Sequence, residues 1–179
     1  MTKKILSLGA SNSSKSINRI LAGYASKELK NVDFDLLDLN DFEMAIYSAD
    51  REEATGIPDL AHQFKALIQK ADGILISFAE HNGAYSAAFK NIYDWVSRIE
   101  SDVWGDKPMF LMATSPGGYG GKSVLAMAIA RYERANNKPI LSFSLPSFYE
   151  NFSNEEGIKD AELLKEFKEQ LNRFEKALL

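Results

Sequence analysis

No cysteine occurs among the 179 residues of this chain. Disulfides, thiol nucleophiles and thiolate metal sites are thereby excluded. Histidine is almost as scarce. His81 stands in a polar turn and His62 falls on the polar side of a helical segment, a placement that makes no metal cluster. No Ser-His-Asp set declares itself along the chain. No apolar run approaches the ~18 residues of a membrane span, and the run from Lys3 to Gly9 is too short for a signal-peptide core. Basic residues are not in excess either: 21 Lys and Arg stand against 25 Asp and Glu, a net charge of −4. That balance, with no basic stripe, argues against a nucleic-acid surface and is too mild for a disordered acidic tail. Repeats, low-complexity tracts and an interdomain linker are missing as well. What remains is 45% hydrophobic, enough for one sizeable core. The expectation is a single cytoplasmic domain over residues 1–179.

What is present alternates. Short apolar runs bounded by turn residues predict strands at Lys4–Leu8, Asp33–Leu39, Gly73–Phe78, Pro108–Thr114 and Pro139–Leu145. Stripes at helical spacing lie between and after them. The first is Ile17, Ile20, Leu21 and Tyr24; the second is Leu60, Phe64, Leu67 and Ile68, opened by Pro58 in its first turn. The third is Phe89, Ile92, Tyr93 and Val96, with Lys90, Asp94 and Arg98 spaced for an ion-pair ladder and Trp95 read as core or interface. An Ala-rich helix begins near Ser123, and Leu163, Leu164, Phe167, Leu171 and Phe174 mark the last. Strands separated by such helices make βαβ units. The predicted fold is α/β: a doubly wound, five-stranded parallel sheet of order 2-1-3-4-5 with helices on both faces. Two connections, Asn40–Ile57 and Pro146–Lys159, are unusually long. The second carries Phe148, Tyr149 and Phe152, which could cover a ligand, face a subunit or pack as a satellite core.

In such sheets ligands bind outside the carboxyl ends of the strands, and three loops there are informative. The first strand runs into Gly9-Ala10-Ser11-Asn12-Ser13-Ser14-Lys15-Ser16-Ile17-Asn18. Free N–H groups at a helix start attract phosphate, and Ser and Asn add neutral donors. An ordinary N-cap would need only one of the four serines between positions 11 and 16. The third strand stops at Glu80-His81-Asn82-Gly83, whose backbone can hydrogen-bond the polar edge of a flat heterocycle. The fourth ends in Ser115-Pro116-Gly117-Gly118-Tyr119-Gly120-Gly121-Lys122-Ser123. Pro116 stands where a P-loop needs glycine, and Gly9 alone does not make a G-x-G-x-x-G turn. The glycines mean either that something approaches the backbone closely or that the loop is mobile.

At these loops the chain resembles the NADPH-dependent FMN reductase family, which includes chromate- and quinone-reducing flavoproteins of flavodoxin-like fold. The resemblance runs from Lys4 to about Leu145. Ser11, Ser16 and Asn18 match the motif Gly-Ser-x-Arg-x-x-Ser-x-Asn, with Ala10 for Gly and Ser13 for Arg. Glu80, Asn82, Gly83, Lys90, Asn91, Asp94, Trp95, Ser97 and Arg98 match the second motif and its helix; Ala79, His81 and Ala84 depart from it. Ser115, Pro116, Gly117 and Gly118 match the third. The resemblance implies FMN held at Ser11, Ser13, Ser16, Ile17, Asn18, Glu80, His81, Asn82, Gly83, Ser115, Gly117 and Gly118. It also implies NADPH or NADH as reductant, a flavin, quinone or similar small acceptor, and a homodimer or homotetramer. The chemistry would come from the cofactor, so no side chain is named catalytic. An FMN-binding electron carrier and a flavin-free interaction domain of the same fold are the alternatives. The exposed-looking aromatics Trp104, Tyr119, Phe148 and Tyr149 would serve a subunit contact.

Overall fold

In the computed structural model, which describes residues 2–179, burial of the strands follows their position in the sheet. Five strands, β1 (Lys3–Ala10), β2 (Val32–Leu37), β3 (Gly73–Phe78), β4 (Met109–Thr114) and β5 (Ile140–Leu145), lie parallel in the order 2-1-3-4-5. Every residue of β3 and β4 is buried, whereas the edge strand β5 alternates. A strand covered on both faces needs apolar residues at every position, and an edge strand does not.

The two faces carry separate cores. Leu6, Leu8, Ile74, Ile76, Met109 and Leu111 point to one; Ile5, Leu75, Phe110 and Met112 to the other. That is the period of two expected of strands. Helices α3 (Asp59–Lys70), α4 (Ala87–Ile99) and α5 (Lys122–Tyr132) cover the first face. Helices α1 (Ile17–Glu28) and α7 (Ala161–Ala177) cover the second. The doubly wound, flavodoxin-like reading of the sequence is therefore the fold observed.

Several local expectations are corrected. The second strand ends at Leu37, and Leu39–Phe42 form a 3-10 turn capped by Asp38. The long connection after it also holds α2 (Ala49–Thr55), capped by Ser48. Pro58 stands just outside α3, at its N-cap position and without a capping side chain, rather than in its first turn. The last connection folds into α6 (Phe148–Asn151) and a two-stranded ribbon, Phe152–Ser153 against Gly157–Ile158. Ile20 is exposed, and α1 is buried instead through Asn18, Leu21, Ala22, Ala25 and Ser26. Trp104 and Phe148 are buried core residues, not surface aromatics. Lys90 pairs with Asp94 as expected, but Arg98 reaches across to Glu52 at 2.8 Å. Trp95 is core, its indole N–H donating to the Ala45 carbonyl.

One buried charge shapes the segment before β4. The Lys65 ammonium, 3% exposed, meets Glu100 at 2.7 Å and the Asp102 and Val103 carbonyls at 2.8 Å. A buried cation is tolerable only when its protons are so taken up. It thereby clamps the loop bearing Trp104 onto α3.

Candidate functional site

The strands that feed the three loops are neighbours, and their ends are level. Ala10 pairs with Phe78, and Phe78 with Ala113. The turn after β1, the hairpin after β3 and the glycine loop after β4 therefore leave the sheet side by side. They do so where the strand order reverses, the topological position at which open α/β sheets bind ligands.

The turn after β1 has an inner and an outer side. Gly9 is there for packing: a Cβ would lie 2.5 Å from Arg19 Cα and 2.8 Å from the Asn18 carbonyl carbon. The first turn of α1 thus presses directly on the strand. Ser16 caps α1, accepting from Arg19 N–H at 3.1 Å, and Ser11 Oγ accepts from Ser13 N–H at 3.2 Å. Asn18 is 2% exposed and turned into the fold. Its amide donates to the Thr114 carbonyl at 3.1 Å, while its oxygen accepts from Ser77 Oγ at 2.7 Å and Thr114 N–H at 3.1 Å. It cross-links α1, β3 and β4, so the structure places it beneath the turn and not among the outward donors expected from the sequence. The outer side is Asn12, Ser13, Ser14 and Lys15, all exposed. Among the described residues, no acceptor takes the N–H groups of Asn12, Ser14, Lys15, Ile17 or Asn18. Five unpaired donors at a helix start are an arrangement that can hold an anion.

The middle loop is a tight hairpin, Glu80–His81 paired with Ala84–Tyr85. Asn82 and Gly83 take φ of 53° and 76°, the left-handed pair that a two-residue turn requires and that Asn-Gly favours. His81, Asn82 and Gly83 are exposed, and nothing lies within 4 Å of where a Gly83 Cβ would stand. Glu80 is employed elsewhere. Its carboxylate accepts from Val124 N–H at 3.0 Å, supplying the start of α5 with the cap that Gly121 lacks. Behind the hairpin, Ser86 caps α4 and donates to the Ala10 carbonyl at 2.8 Å, fixing it to the end of β1.

The glycine loop is held rather than mobile in its bonding. The Gly117 carbonyl accepts from Ser115 Oγ at 3.1 Å and Ser147 N–H at 3.0 Å, and the Ser115 carbonyl from Phe148 N–H at 3.0 Å. Gly117 has open space in front of it, and Gly118 nearly so. Tyr119 beside them and Tyr149 on α6 are 62% and 69% exposed.

Positive charge accompanies the turn after β1. A cleft of about 360 Å³ along α1 shares Ser14, Lys15 and Ser16 with it and is lined by Arg19 and Lys27, with Tyr24 and Phe152 as apolar wall. Among the described residues, no carboxylate lines this cleft. Asp38 stands 3.9 Å from Arg19, its carboxyl held below the usual aspartate range chiefly by the Asn40 N–H, with Arg19 adding to it. Lys15 and Arg19 were missed from the sequence because the resemblance looked for a cation at position 13. Ser86, just before the Phe89 stripe, was findable as an N-cap; the reach of Glu80 to α5 was not.

The profile of the NADPH-dependent FMN reductase family matches residues 3–150. A 2-hydroxy-1,4-benzoquinone reductase of a Burkholderia species is 35% identical over 122 residues, 67% of this chain and 64% of that protein. An NADPH:quinone oxidoreductase of Arabidopsis thaliana is 36% identical over 80 residues, 45% of this chain and 40% of the other. The chain therefore spans less than two thirds of the length of these relatives. Among solved structures, a flavoenzyme NAD(P)H:(acceptor) oxidoreductase of Paracoccus denitrificans superposes with a TM-score of 0.77 at 22% identity, covering 98% of this chain and 97% of that one. At that identity the likeness is one of fold.

Proposed function

The chain belongs to the NADPH-dependent FMN reductase family, and from that premise we propose that it is an FMN-dependent NAD(P)H oxidoreductase acting on a quinone or similar small acceptor. The observation that carries the reading is the set of unpaired N–H groups from Asn12 to Asn18, beside two open loops on neighbouring strands. The residues present fit FMN. Ser13, Ser14 and the five N–H groups would take the phosphate, with Ser11, Ser16, Ile17 and Asn18 shaping the turn. Lys15 and Arg19 would supply the cation that Ser13 does not. The turn His81-Asn82-Gly83, backed by Glu80, offers backbone groups to the ring edge, and Ser115, Gly117 and Gly118 form the opposite rim.

Bound FMN would supply the redox chemistry that couples a nicotinamide donor to the acceptor. The protein's part is to orient and to leave room. Glu80 and Ser86 keep the hairpin at a fixed height above the sheet. The missing side chains at Gly117 and Gly118 leave one approach unobstructed, which stacking of the reductant requires. A quinone matches the activities of the Burkholderia and Arabidopsis relatives.

A homodimer or dimer of dimers belongs to the same proposal. Ile46, Tyr119 and Tyr149 are 76%, 62% and 69% exposed, and all lie in connections at or near the ligand edge. Exposed apolar residues of this kind suit a subunit contact. A cytoplasmic location goes with an enzyme that draws on NAD(P)H. No helix of the described residues is long and apolar enough to cross a membrane.

The test is purified protein reconstituted with FMN. Excess NADPH should bleach the yellow colour, and a benzoquinone should restore it through repeated cycles. Gly118→Leu should slow bleaching by roughly 100-fold, much more than it weakens FMN binding, because the added side chain obstructs approach rather than the phosphate turn. Protein that stays yellow under both NADPH and NADH would be an electron carrier, and protein that never turns yellow would be an interaction domain.

A further inference from the structure

The cleft along α1 meets the proposed flavin site only at its mouth, where Ser14, Lys15 and Ser16 stand. From there it follows the outer face of the helix to Lys27, in the last turn. At the helical rise, Ser16 and Lys27 are about 16 Å apart. The cleft holds about 360 Å³, within the ~300–1,000 Å³ of small-molecule sites. One residue lowers its floor. Gly23 lies in mid-helix, where glycine is unfavourable. A Cβ there would stand 3.1 Å from Leu36 Cδ2, so the bare backbone lets β2 close up against α1 and leaves a dip in the outer face. Arg19 stands one turn before Gly23 and Lys27 one turn after it, on the same face.

The lining is selective. The chain carries 25 acidic residues against 21 basic ones, yet the described residues of the cleft include Lys15, Arg19 and Lys27 and no carboxylate. Arg19 is held from below, its Nε donating to the Leu37 carbonyl at 3.4 Å and its guanidinium 3.9 Å from Asp38. Lys15 and Lys27 are exposed and, among the described residues, form no ion pair. The wall is aromatic and fixed: the Tyr24 ring meets Phe152 edge-on at 5.3 Å and Phe167 at 5.4 Å. A ligand that matches has anionic groups at both ends and a flat, half-apolar body between them. A purine nucleoside phosphorylated on both sides of its ribose has that form, since phosphates pair with cations and any base can stack on an aromatic ring.

We propose that this cleft takes the 2′-phosphorylated adenosine end of NADPH, with the 2′-phosphate on Lys27 above Gly23 and the adenine against Tyr24. The inference rests on the reading of the chain as an NAD(P)H oxidoreductase and sharpens it: the reductant is NADPH in preference to NADH, and Lys27 tells them apart. NADH has a hydroxyl where NADPH has a phosphate, so a cleft with cations and no carboxylate favours the second. Lys27 is also the one cation of the three that the flavin phosphate does not use, which leaves it free for the reductant.

The probe is adenosine 2′,5′-bisphosphate, titrated calorimetrically into the full chain without flavin and again after loading with FMN. In both states it should bind roughly 10-fold more tightly than 5′-AMP, which lacks the 2′-phosphate, and its affinity should fall as salt is raised. NADPH should displace it at lower concentration than NADH. Lys27→Glu should weaken the bisphosphate by roughly 10-fold or more and raise KM for NADPH relative to KM for NADH by a similar factor, through KM rather than kcat. Lys27→Arg should restore both. Lys168→Glu makes the same change of charge on α7, outside the cleft, and should leave the ratio where it is. Equal affinity for the bisphosphate and 5′-AMP, loss of the probe on loading with FMN, or a Lys27→Glu variant with the wild-type ratio would each overturn the proposal. If Lys27→Glu does not fold, the wild-type titrations still decide it. Protein that binds the bisphosphate and NADPH in this way but is never bleached loses the oxidoreductase reading and keeps the cleft. Protein bleached by both nucleotides at equal KM keeps that reading and loses the cleft.

Discussion

Gly117 and Gly118 sit three residues from Gly120 and Gly121, yet the two pairs do opposite things. In front of the first pair there is open space, with no atom nearer than Ser147 Oγ at 3.9 Å from a Gly118 Cβ. In front of the second pair is the protein itself. A Cβ on Gly120 would stand 2.5 Å from Ser144 Oγ and 3.0 Å from Pro146 N, and one on Gly121 would stand 2.9 Å from Ala113 Cβ. Both second glycines also have φ near +70°, at 67° and 73°. The run of glycines in the sequence is therefore two features laid end to end: a pair with open space before it, then a pair that folds the loop onto the sheet at the start of α5. The turn after β1 divides in the same way, with Gly9, Ser16 and Asn18 facing in and Asn12 to Lys15 facing out.

The sharpest way to break this comparison is to add one methyl group at each position. Gly120→Ala should cost about 2–5 kcal/mol, summing a left-handed backbone that disfavours side chains and an overpacked contact with backbone atoms. Gly117→Ala should change stability by less than about 0.5 kcal/mol. Urea unfolding of the two variants reads the difference directly. Equal costs would mean that the loop has no open half, and the ligand assignment of Gly117 and Gly118 would go with it.

The second contrast lies in the β1 turn and is slightly smaller. Asn18→Ala removes three buried hydrogen bonds and leaves Ser77 and both backbone groups of Thr114 without them. We expect a loss of about 2–4 kcal/mol in folding stability. Ser13→Ala combined with Ser14→Ala should leave stability nearly unchanged and weaken FMN binding by about 1 kcal/mol for each lost donor. Riboflavin, which has no phosphate, should be unaffected. Calorimetric titration of both ligands separates the cases, and equal losses for FMN and riboflavin would show that the phosphate is not held at these serines.

These contrasts also mark what could be read in the sequence. The sheet order was legible because strands buried on both faces write continuous apolar runs, and helices between them write a different period. The three loops were legible as ligand-edge loops because the sheet order puts their strands side by side. What could not be read was direction. Nothing in Ser-x-Asn tells that Asn18 turns toward Thr114, 96 residues away, or that Glu80 caps a helix 44 residues on. Helix α2 is a different kind of miss. Its signal was present, Ser48 followed by Asp50 and Glu52 in the first turn. The helix buries no residue, so the apolar stripe that a periodicity search relies on is missing.

The smallest expected effect compares the ligand edge of the sheet with the opposite one. Asp38 lies just past the end of β2, and Asp72 just before β3, where its carboxylate accepts from Lys4 N–H at 2.8 Å. Both carboxyls are held below the ordinary aspartate value, Asp38 mainly by Asn40 N–H and Asp72 mainly by Lys4 N–H. A depressed folded-state value means stability that is fully present above the unfolded pKa and is lost as the pH falls through the folded one. Each contribution is small, under about 1 kcal/mol, because the side chains are 32% and 41% exposed and screened by solvent. Asp72→Asn should therefore lower the urea midpoint slightly at pH 7 and flatten its decline in acid, with no change in FMN affinity at the far edge of the sheet. Asp38→Asn should flatten the same decline and also alter FMN affinity, because it frees Arg19 beside the proposed phosphate cradle. A loss at Asp72 that is as large in acid as at pH 7 would mean that the oxygen acts as a neutral acceptor, a role that asparagine keeps only if its amide turns its oxygen to Lys4. An Asp38 variant with unaltered FMN affinity would remove Arg19 from the proposed phosphate site and leave Lys15 as its cation.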